Sequence, residues 1–380
     1  SQLPVAGSVI AAACSKRDAQ SSAASSVPVI STNPSGTANQ SPSDIMEMLR
    51  RHRCRVLKRV LKASRIPAAE KLASTLQQVL ANPDNVPKWT ELLLFTFSCF
   101  GVPGQRGGKR HLSSLTSKVN QAIANFPTVY PPDSAGVRHP PKRRTKPDDL
   151  AARVSSKIED GDIRGAIRLA ASDAVLAPFD DVTAAALQTK HPARSMSDAP
   201  APPPSTNHPI HCLLESDILG AVKSFVPGSA GGPDGLRPQH LKDLTSASAG
   251  DAGKRLLTRL TDFANLCLSG RVPAGIQPVS CGASLCALNK KDGGIRPIAV
   301  GSTLRRLVAK SACRVVTAKM AERFLPIQLG FGVPRGTEAP AHATRQYIAD
   351  LQPGHGLLKL DFNNAFNTIR RDAVFDAVRQ

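Results

Sequence analysis

Apolar and polar positions follow patterns that divide the chain into helical segments and polar spacers. Residues 1–42 are mainly Ser, Ala, Pro, Asn and Gly, which bury too little apolar surface for a core, and we expect them to be disordered. Apolar residues recur at helical spacing in 43–126, which predicts a small basic helical module, and in 148–190, which predicts paired helices. Pro-rich spacers, 127–147 and 191–209, follow these two segments.

Within the helical module the apolar stripes predict three successive helices. The first is expected to run from 45 to Pro67, because proline ends or kinks a helix. The second is predicted at 68–80 and the third at 89–100. We expect the large aromatic side chains of the third helix, Trp89 among them, to form the core of the module.

The region 210–380 contains a predicted β-hairpin. A helix is expected to be capped by Ser216, and further on two apolar runs surround an Asp-Gly-Gly turn in LNKKDGGIRP. The tip of this hairpin carries Lys290, Lys291 and Arg296. Such cations are suited to bind phosphate oxygens, although a surface hairpin with solvated cations explains the same pattern.

Near the end of the chain an alternation of period two predicts a strand that presents one carboxylate. Leu358, Leu360 and Phe362 are the apolar positions of this alternation, and Asp361 is the carboxylate. Thr368 is expected to cap the helix that follows. Asp361 is either a metal ligand or an Asp that merely caps this helix.

The charge of the chain indicates a polyanionic partner. It has 49 Lys and Arg against 29 Asp and Glu, a formal charge of +20, which favours nucleic acid. Two rows of cations are candidates for phosphate contacts. The alternative for both rows is an ordinary solvated face, and the first row is also compatible with a nuclear-import signal. These rows are Arg50, Arg51, Arg53 and Arg55, and Arg306, Lys310 and Arg314 on a helix expected from Ser302 to Met320.

Cysteine spacing and hydropathy exclude two other classes of protein. The eight cysteines include no C-x-x-C pair, which favours reduced core thiols over a disulfide or zinc framework. No apolar run reaches the eighteen or so residues of a membrane span, and we expect no membrane partner.

Four ordered motifs carry a resemblance to a known family. They are GGPDGLRP at 231–238, the hairpin above, QLGFG at 328–332, and LDFNNAFN at 360–367. Together they resemble the reverse transcriptases of non-LTR, LINE-like retrotransposons, the last string being similar to the first catalytic motif. A softer resemblance extends to 160–173.

The resemblance implies an α+β fold. Residues 210–380 would form the fingers and part of the palm of a right-hand polymerase, which is incomplete, and mostly helical and disordered segments would precede them. It implies an RNA-directed DNA polymerase whose partners are an RNA template, a DNA primer or target, and deoxynucleoside triphosphates, acting in nucleus and cytoplasm. Asp361 and the backbone carbonyl of Phe362 would hold Mg²⁺, with Mn²⁺ as an alternative ion. Phe366 would lie under the sugar and disfavour a 2′-hydroxyl, and the hairpin cations would contact the triphosphate.

The family's later motifs, which include its paired aspartates, are absent from the sequence, and both ends look cut. Two-metal chemistry needs clustered carboxylates, so we expect this fragment to be inactive. The alternatives are a non-catalytic nucleic-acid-binding remnant and, less favoured by the amino-terminal pattern, a polymerase of the group II intron maturase type.

Overall fold

The computed structural model describes residues 41–102, 114–130, 147–159, 161–171, 176–191, 212–290 and 293–379. The expected disorder of 1–40, most of both Pro-rich spacers, and Lys291 lie outside these ranges. The elements are α1 (Pro42–Arg51), α2 (Arg65–Ala81), α3 (Val86–Phe100), α4 (Leu115–Asn125), α5 (Pro147–Glu159), α6 (Ile163–Ala170), α7 (Asp181–Lys190), α8 (Glu215–Ser224), α9 (Pro238–Leu244), α10 (Gly250–Leu268), α11 (Gln277–Ser280), β1 (Ala283–Asn289), β2 (Ile295–Gly301), α12 (Thr303–Phe324), α13 (Glu338–Ala349), α14 (Ala365–Thr368) and α15 (Arg371–Arg379).

The first helix is shorter than the sequence predicts. A capping box between Ser41 and Asp44 starts α1, which ends at Arg51. The chain then becomes extended, because its backbone bonds to the segment after α3: Leu57 N–H donates to Phe100 O at 2.9 Å, and Arg55 O accepts from Val102 N–H at 2.7 Å. The prediction of one helix as far as Pro67 was therefore wrong.

One hydrophobic core joins the amino-terminal helices to the region after 212. Helices α2 and α10 pack along each other, and buried residues from Ile45 to Val308 form a single cluster. Trp89 and Phe95 are buried, as predicted, and the Trp89 ring lies 5.5 Å from that of Phe263 on α10. The helical module expected at 43–126 therefore shares its core with the region expected to form the polymerase.

The hairpin forms as predicted. Strands β1 and β2 pair antiparallel from Ala283 opposite Gly301 to Asn289 opposite Ile295. The segment before α7 lies along this hairpin, because Ala177 N–H donates to Ala287 O at 3.0 Å. The predicted helix capped by Ser216 begins instead after Leu214, whose N–H donates to the Asp217 carboxylate at 2.9 Å.

The end of the described chain differs most from prediction. Residues 355–362 form no strand, and Thr368 closes the short α14 instead of capping a long helix. A strand is stable only when its backbone groups pair with a neighbour, and in the described residues β1 and β2 form the one sheet present. By contrast, α13 starts after Thr337 as the sequence indicates.

Two further features concern the cysteines and the possibility of a membrane span. None of the seven cysteines in the described ranges forms a disulfide, but four of them are exposed and so are not core thiols: Cys212, Cys281, Cys286 and Cys313. No helix in those ranges has the length and apolar character needed to cross a membrane.

Candidate nucleic-acid and nucleotide interface

The segment around Asp361 is open to solvent. Leu360, Phe362 and Phe366 are 70%, 75% and 74% exposed, and Asp361 is exposed as well. Asn364, at a left-handed φ of 55°, fastens the segment by donating from Nδ2 to Lys190 O, at the end of α7, at 2.9 Å. Phe366 thus reaches solvent, and no sugar-binding surface is closed around it in this conformation.

The residues present do not make a magnesium cage by themselves. Mg²⁺ prefers several oxygen ligands in octahedral geometry. In the described part of the chain, no group of three or more Asp, Glu, His or Cys side chains is placed to hold a metal. Asp361 with the carbonyl of Phe362 would supply three oxygens at most, so the expected site is incomplete.

The hairpin places two of its predicted cations on one face. Arg296 is paired directly opposite Leu288, and opposed residues lie on the same face of an antiparallel pair. Because side chains alternate along a strand, Lys290, two residues after Leu288, belongs to that face too. Lys290 and Arg296 are both exposed, and Gly293 closes the turn at a φ of +80°. Lys291 lies outside the described residues.

Helix α7 connects the hairpin with the Asp361 segment. It packs against β2, and its last turn receives the hydrogen bond from Asn364. The sequence did not predict this arrangement, because the apolar pattern of α7 is weak and Phe179 and Val182 remain 98% and 79% exposed.

The cation row on α12 is only partly available for phosphate. The Arg306 guanidinium donates to Ala230 O and to Thr303 Oγ1, and it lies 5.9 Å from the Phe225 ring centre. Burial lowers the pKa of Arg306. Arg306 is thus partly engaged within the fold, and its contact with a nucleic-acid backbone stays a prediction. Lys310 lies 5.4 Å from the same ring, and Arg314 is exposed on the next turn.

A buried carboxylate lies beneath the start of α12. Asp234, in the GGPDGLRP loop, is 3% exposed; its Oδ2 accepts from Ser302 Oγ at 3.4 Å, while no partner of Oδ1 is present among the described residues. Burial raises its pKa to about 6. In the same loop Gly235 has a φ of +72°, and a Cβ there would lie 2.6 Å from Cε1 of Phe97. The sequence marks this loop as turn-rich but does not indicate that its acid is buried.

A polar network connects α9 to the extended segment after α1. His240 Nε2 donates to Leu57 O at 2.7 Å, and its Nδ1 accepts from Arg237 N–H at 3.2 Å. This pairing requires the neutral ring, and burial lowers the pKa of His240 to about 4. Asp243 accepts from Val60 N–H at 2.9 Å and from Arg65 at 3.1 Å. No sequence signal distinguishes these two residues from other polar positions on a short helix.

The four arginines at 50–55 are exposed, as predicted, but they do not lie on one helix. Arg50 and Arg51 belong to the last turn of α1, where Arg51 pairs with Glu47 at 3.2 Å. Arg53 and Arg55 lie on the extended segment. They form a basic edge instead of the continuous helical face that the sequence predicts.

Comparison with known proteins adds no relative: no protein-family model, curated protein or solved structure matches this chain.

Proposed function

We propose that this chain is the fingers and first palm segment of an RNA-directed DNA polymerase of the kind found in LINE-like retrotransposons. The observation that carries the proposal is the hairpin with Lys290 and Arg296 on one face, upstream of the LDFNNAFN motif. A pair of cations on a rigid hairpin suits a triphosphate, because Lys supplies a point charge and Arg a planar fork. The net charge of +20 is consistent with an RNA–DNA partner.

In this proposal Asp361 contributes one carboxylate to a nucleotidyl transfer site. The open conformation of 355–362 is explained if the segment becomes a strand only when neighbouring palm strands pair with it. The other acidic ligands would then have to come from sequence outside these 380 residues. The 380-residue chain is expected to bind nucleic acid and not to polymerise.

Primer extension on an RNA template tests the proposal. The 380-residue chain should give no extension, whereas a chain continued along its reading frame through paired aspartates should extend the primer and lose this activity with Asp361→Ala. Phe366→Ala in the active chain should raise incorporation of ribonucleotides relative to deoxyribonucleotides. Extension by the 380-residue chain unaided, or activity that survives Asp361→Ala, would refute the assignment.

The second candidate is a non-catalytic nucleic-acid-binding protein, favoured by the exposed basic edge of Arg50, Arg51, Arg53 and Arg55. It predicts salt-dependent RNA binding that survives Asp361→Ala and falls when these four arginines are neutralised together. An electrophoretic mobility-shift assay over a range of salt concentrations distinguishes the two candidates, when read beside the extension assay.

A further inference from the structure

Three separate parts of the chain line an open basic cleft of about 370 Å³. Its walls are the extended segment after α1, which contributes Lys58; one face of α5, with Arg153 and Lys157; and the loop before α9, with Gly228 and Arg237. Neither the described residues of the hairpin nor Asp361 contribute to its lining.

The α5–α6 pair is held at this position by one hydrogen bond and one close approach. Lys58 Nζ donates to Ser156 Oγ of α5. A Cβ at Gly228 would lie 2.9 Å from Oδ2 of Asp162, so this carboxylate lies close to the glycine. Gly228 also has a φ of +75°, which favours glycine at this position on conformational grounds.

The charge balance of the cleft is strongly positive. Lys157 is paired with Asp162 at 2.8 Å, and Lys58 Nζ donates to Ser156 Oγ. Among the described residues that line the cleft there is no Asp or Glu, so Arg153 and Arg237 add two positive charges that no lining carboxylate of the described chain balances. Cations that converge on one concavity attract an anion, and low-dielectric walls strengthen this attraction.

The lining also distinguishes between kinds of anionic ligand. Among the described residues no aromatic side chain lines the cleft, so these residues offer no platform on which a base could stack. The remaining walls are small or aliphatic, Ala152 and Leu169 among them. Cations without stacking partners favour contacts to backbone phosphates over readout of bases.

We propose that this cleft binds the phosphodiester backbone of a single nucleic-acid strand, independently of its sequence. The site is a second contact, separate from the triphosphate and metal positions of the proposed polymerase. The inference rests on the proposed function only in that the chain binds nucleic acid. It assigns a role to α5, α6 and the loop before α9 that the motifs do not supply.

Binding of fluorescently labelled single strands to the 380-residue protein tests this proposal. The variant Arg153→Gln/Arg237→Gln removes two cleft cations, and the matched control Lys254→Gln/Arg259→Gln removes one exposed and one half-buried cation of α10, neither of which lines the cleft. Both variants lower the net charge equally, so a general loss of positive field affects them alike.

We expect the cleft variant to reduce the magnitude of the negative slope of log K, where K is the association constant, against log salt by about 1.4, since each phosphate contact on a single strand contributes about 0.7. This corresponds to binding about 25-fold weaker at 0.1 M salt, with RNA and DNA strands of one sequence affected equally. The single variant Arg153→Gln, at an exposed position, should show about half of the slope change. Unchanged Trp89 fluorescence verifies that each variant is folded.

The proposal is overturned if the cleft variant and the control have equal slopes. It is also overturned if millimolar inorganic phosphate at constant ionic strength abolishes the difference between them, because the cleft would then hold a small free anion. A wild-type chain that binds neither strand refutes the cleft and the nucleic-acid function together. If the chain continued through the paired aspartates fails to extend a primer, while the cleft variant still differs from the control in its salt slope, the polymerase assignment alone is refuted.

Discussion

Replacing Asp243 by alanine should loosen the contact between the amino-terminal helices and the region after 212. The Asp243 side chain is 6% exposed and accepts three hydrogen bonds, from Val60 N–H at 2.9 Å, from Gln239 Nε2 at 3.0 Å and from Arg65 Nη2 at 3.1 Å. Two of these donors belong to the amino-terminal part, so this carboxylate joins segments about 180 residues apart in sequence.

The magnitude follows from the groups that the substitution leaves behind. An unsatisfied buried N–H costs about 1 to 3 kcal/mol, and Val60 is 1% exposed. Removing one partner of a buried ion pair costs about 3 to 5 kcal/mol. Arg65 is 20% exposed and keeps its bonds to Val60 O and Ser248, so the lower end applies. Since the two terms overlap, we expect a total loss of about 3 to 4 kcal/mol.

Urea unfolding followed by tryptophan fluorescence measures this loss. Trp89 is the single tryptophan and packs on Phe263 across the shared core, so its emission reports whether the two parts stay together. With a slope of about 2 to 3 kcal/mol per M urea, the midpoint should fall by more than about 1 M. Asp243→Asn keeps an oxygen for Val60 N–H and should lose about half as much.

Asp251→Ala is the matched control, because this carboxylate is 78% exposed and pairs only locally with Lys254 at 2.9 Å. It should leave the midpoint unchanged. A loss below about 1 kcal/mol for Asp243→Ala, or one no larger than that of the control, would refute the view that the network holds the two parts together.

The remaining predictions concern buried titratable groups and a tight glycine. The pKa of His240 is about 4 in the fold against 6.5 unfolded, so its stabilising contribution is full above pH 6.5 and falls by about 3 kcal/mol as the pH decreases to 4. The pKa of Asp234 is about 6 in the fold against 3.8 unfolded, so this group increases the free energy of unfolding by about 3 kcal/mol as the pH falls over much the same interval. Urea midpoints at pH 7 and 4.5 should therefore drop more steeply with acid in Asp234→Asn than in wild type, and less steeply in His240→Gln; parallel changes would contradict both assignments. Gly235→Ala should lower the free energy of unfolding by about 2 to 3 kcal/mol through φ strain and the clash with Phe97, whereas Gly270→Ala, at a φ of +75° with no described atom within 4 Å of the added Cβ, should lower it by about 1 kcal/mol; equal losses would show that the contact is unimportant.

Local patterns predicted the elements whose stability is local. The Asp-Gly-Gly turn and flanking apolar runs specify the β1–β2 hairpin locally, and the distant segment before α7 adds a hydrogen bond from Ala177 N–H to Ala287 O. The aromatic face of α3 was buried as expected, since a helix with so many large apolar residues has to be covered. The start of α13 after Thr337 was predicted because Thr favours helix N-termini, although its side chain makes no capping hydrogen bond.

The incorrect predictions concern backbone whose partners lie far away in sequence. The stripe at 45–61 has helical periodicity, yet residues 55–57 pair with 100–102, and long-range hydrogen bonds override a helical pattern. The alternation at 358–362 has the period of a strand, but period two describes only which side chains share a face. Without a paired neighbour in the described residues, that segment remains extended and open to solvent.

The sequence by itself determined which residues carry the candidate chemistry: the hairpin cations, Asp361 and the excess of positive charge. Only the tertiary structure decided that Arg306 lies against Phe225, that Asp234 and His240 are buried, and that distant cations line one cleft. The physical reason is that residue type and spacing specify local conformation and charge. Burial, pairing and convergence depend instead on contacts between segments as much as 180 residues apart.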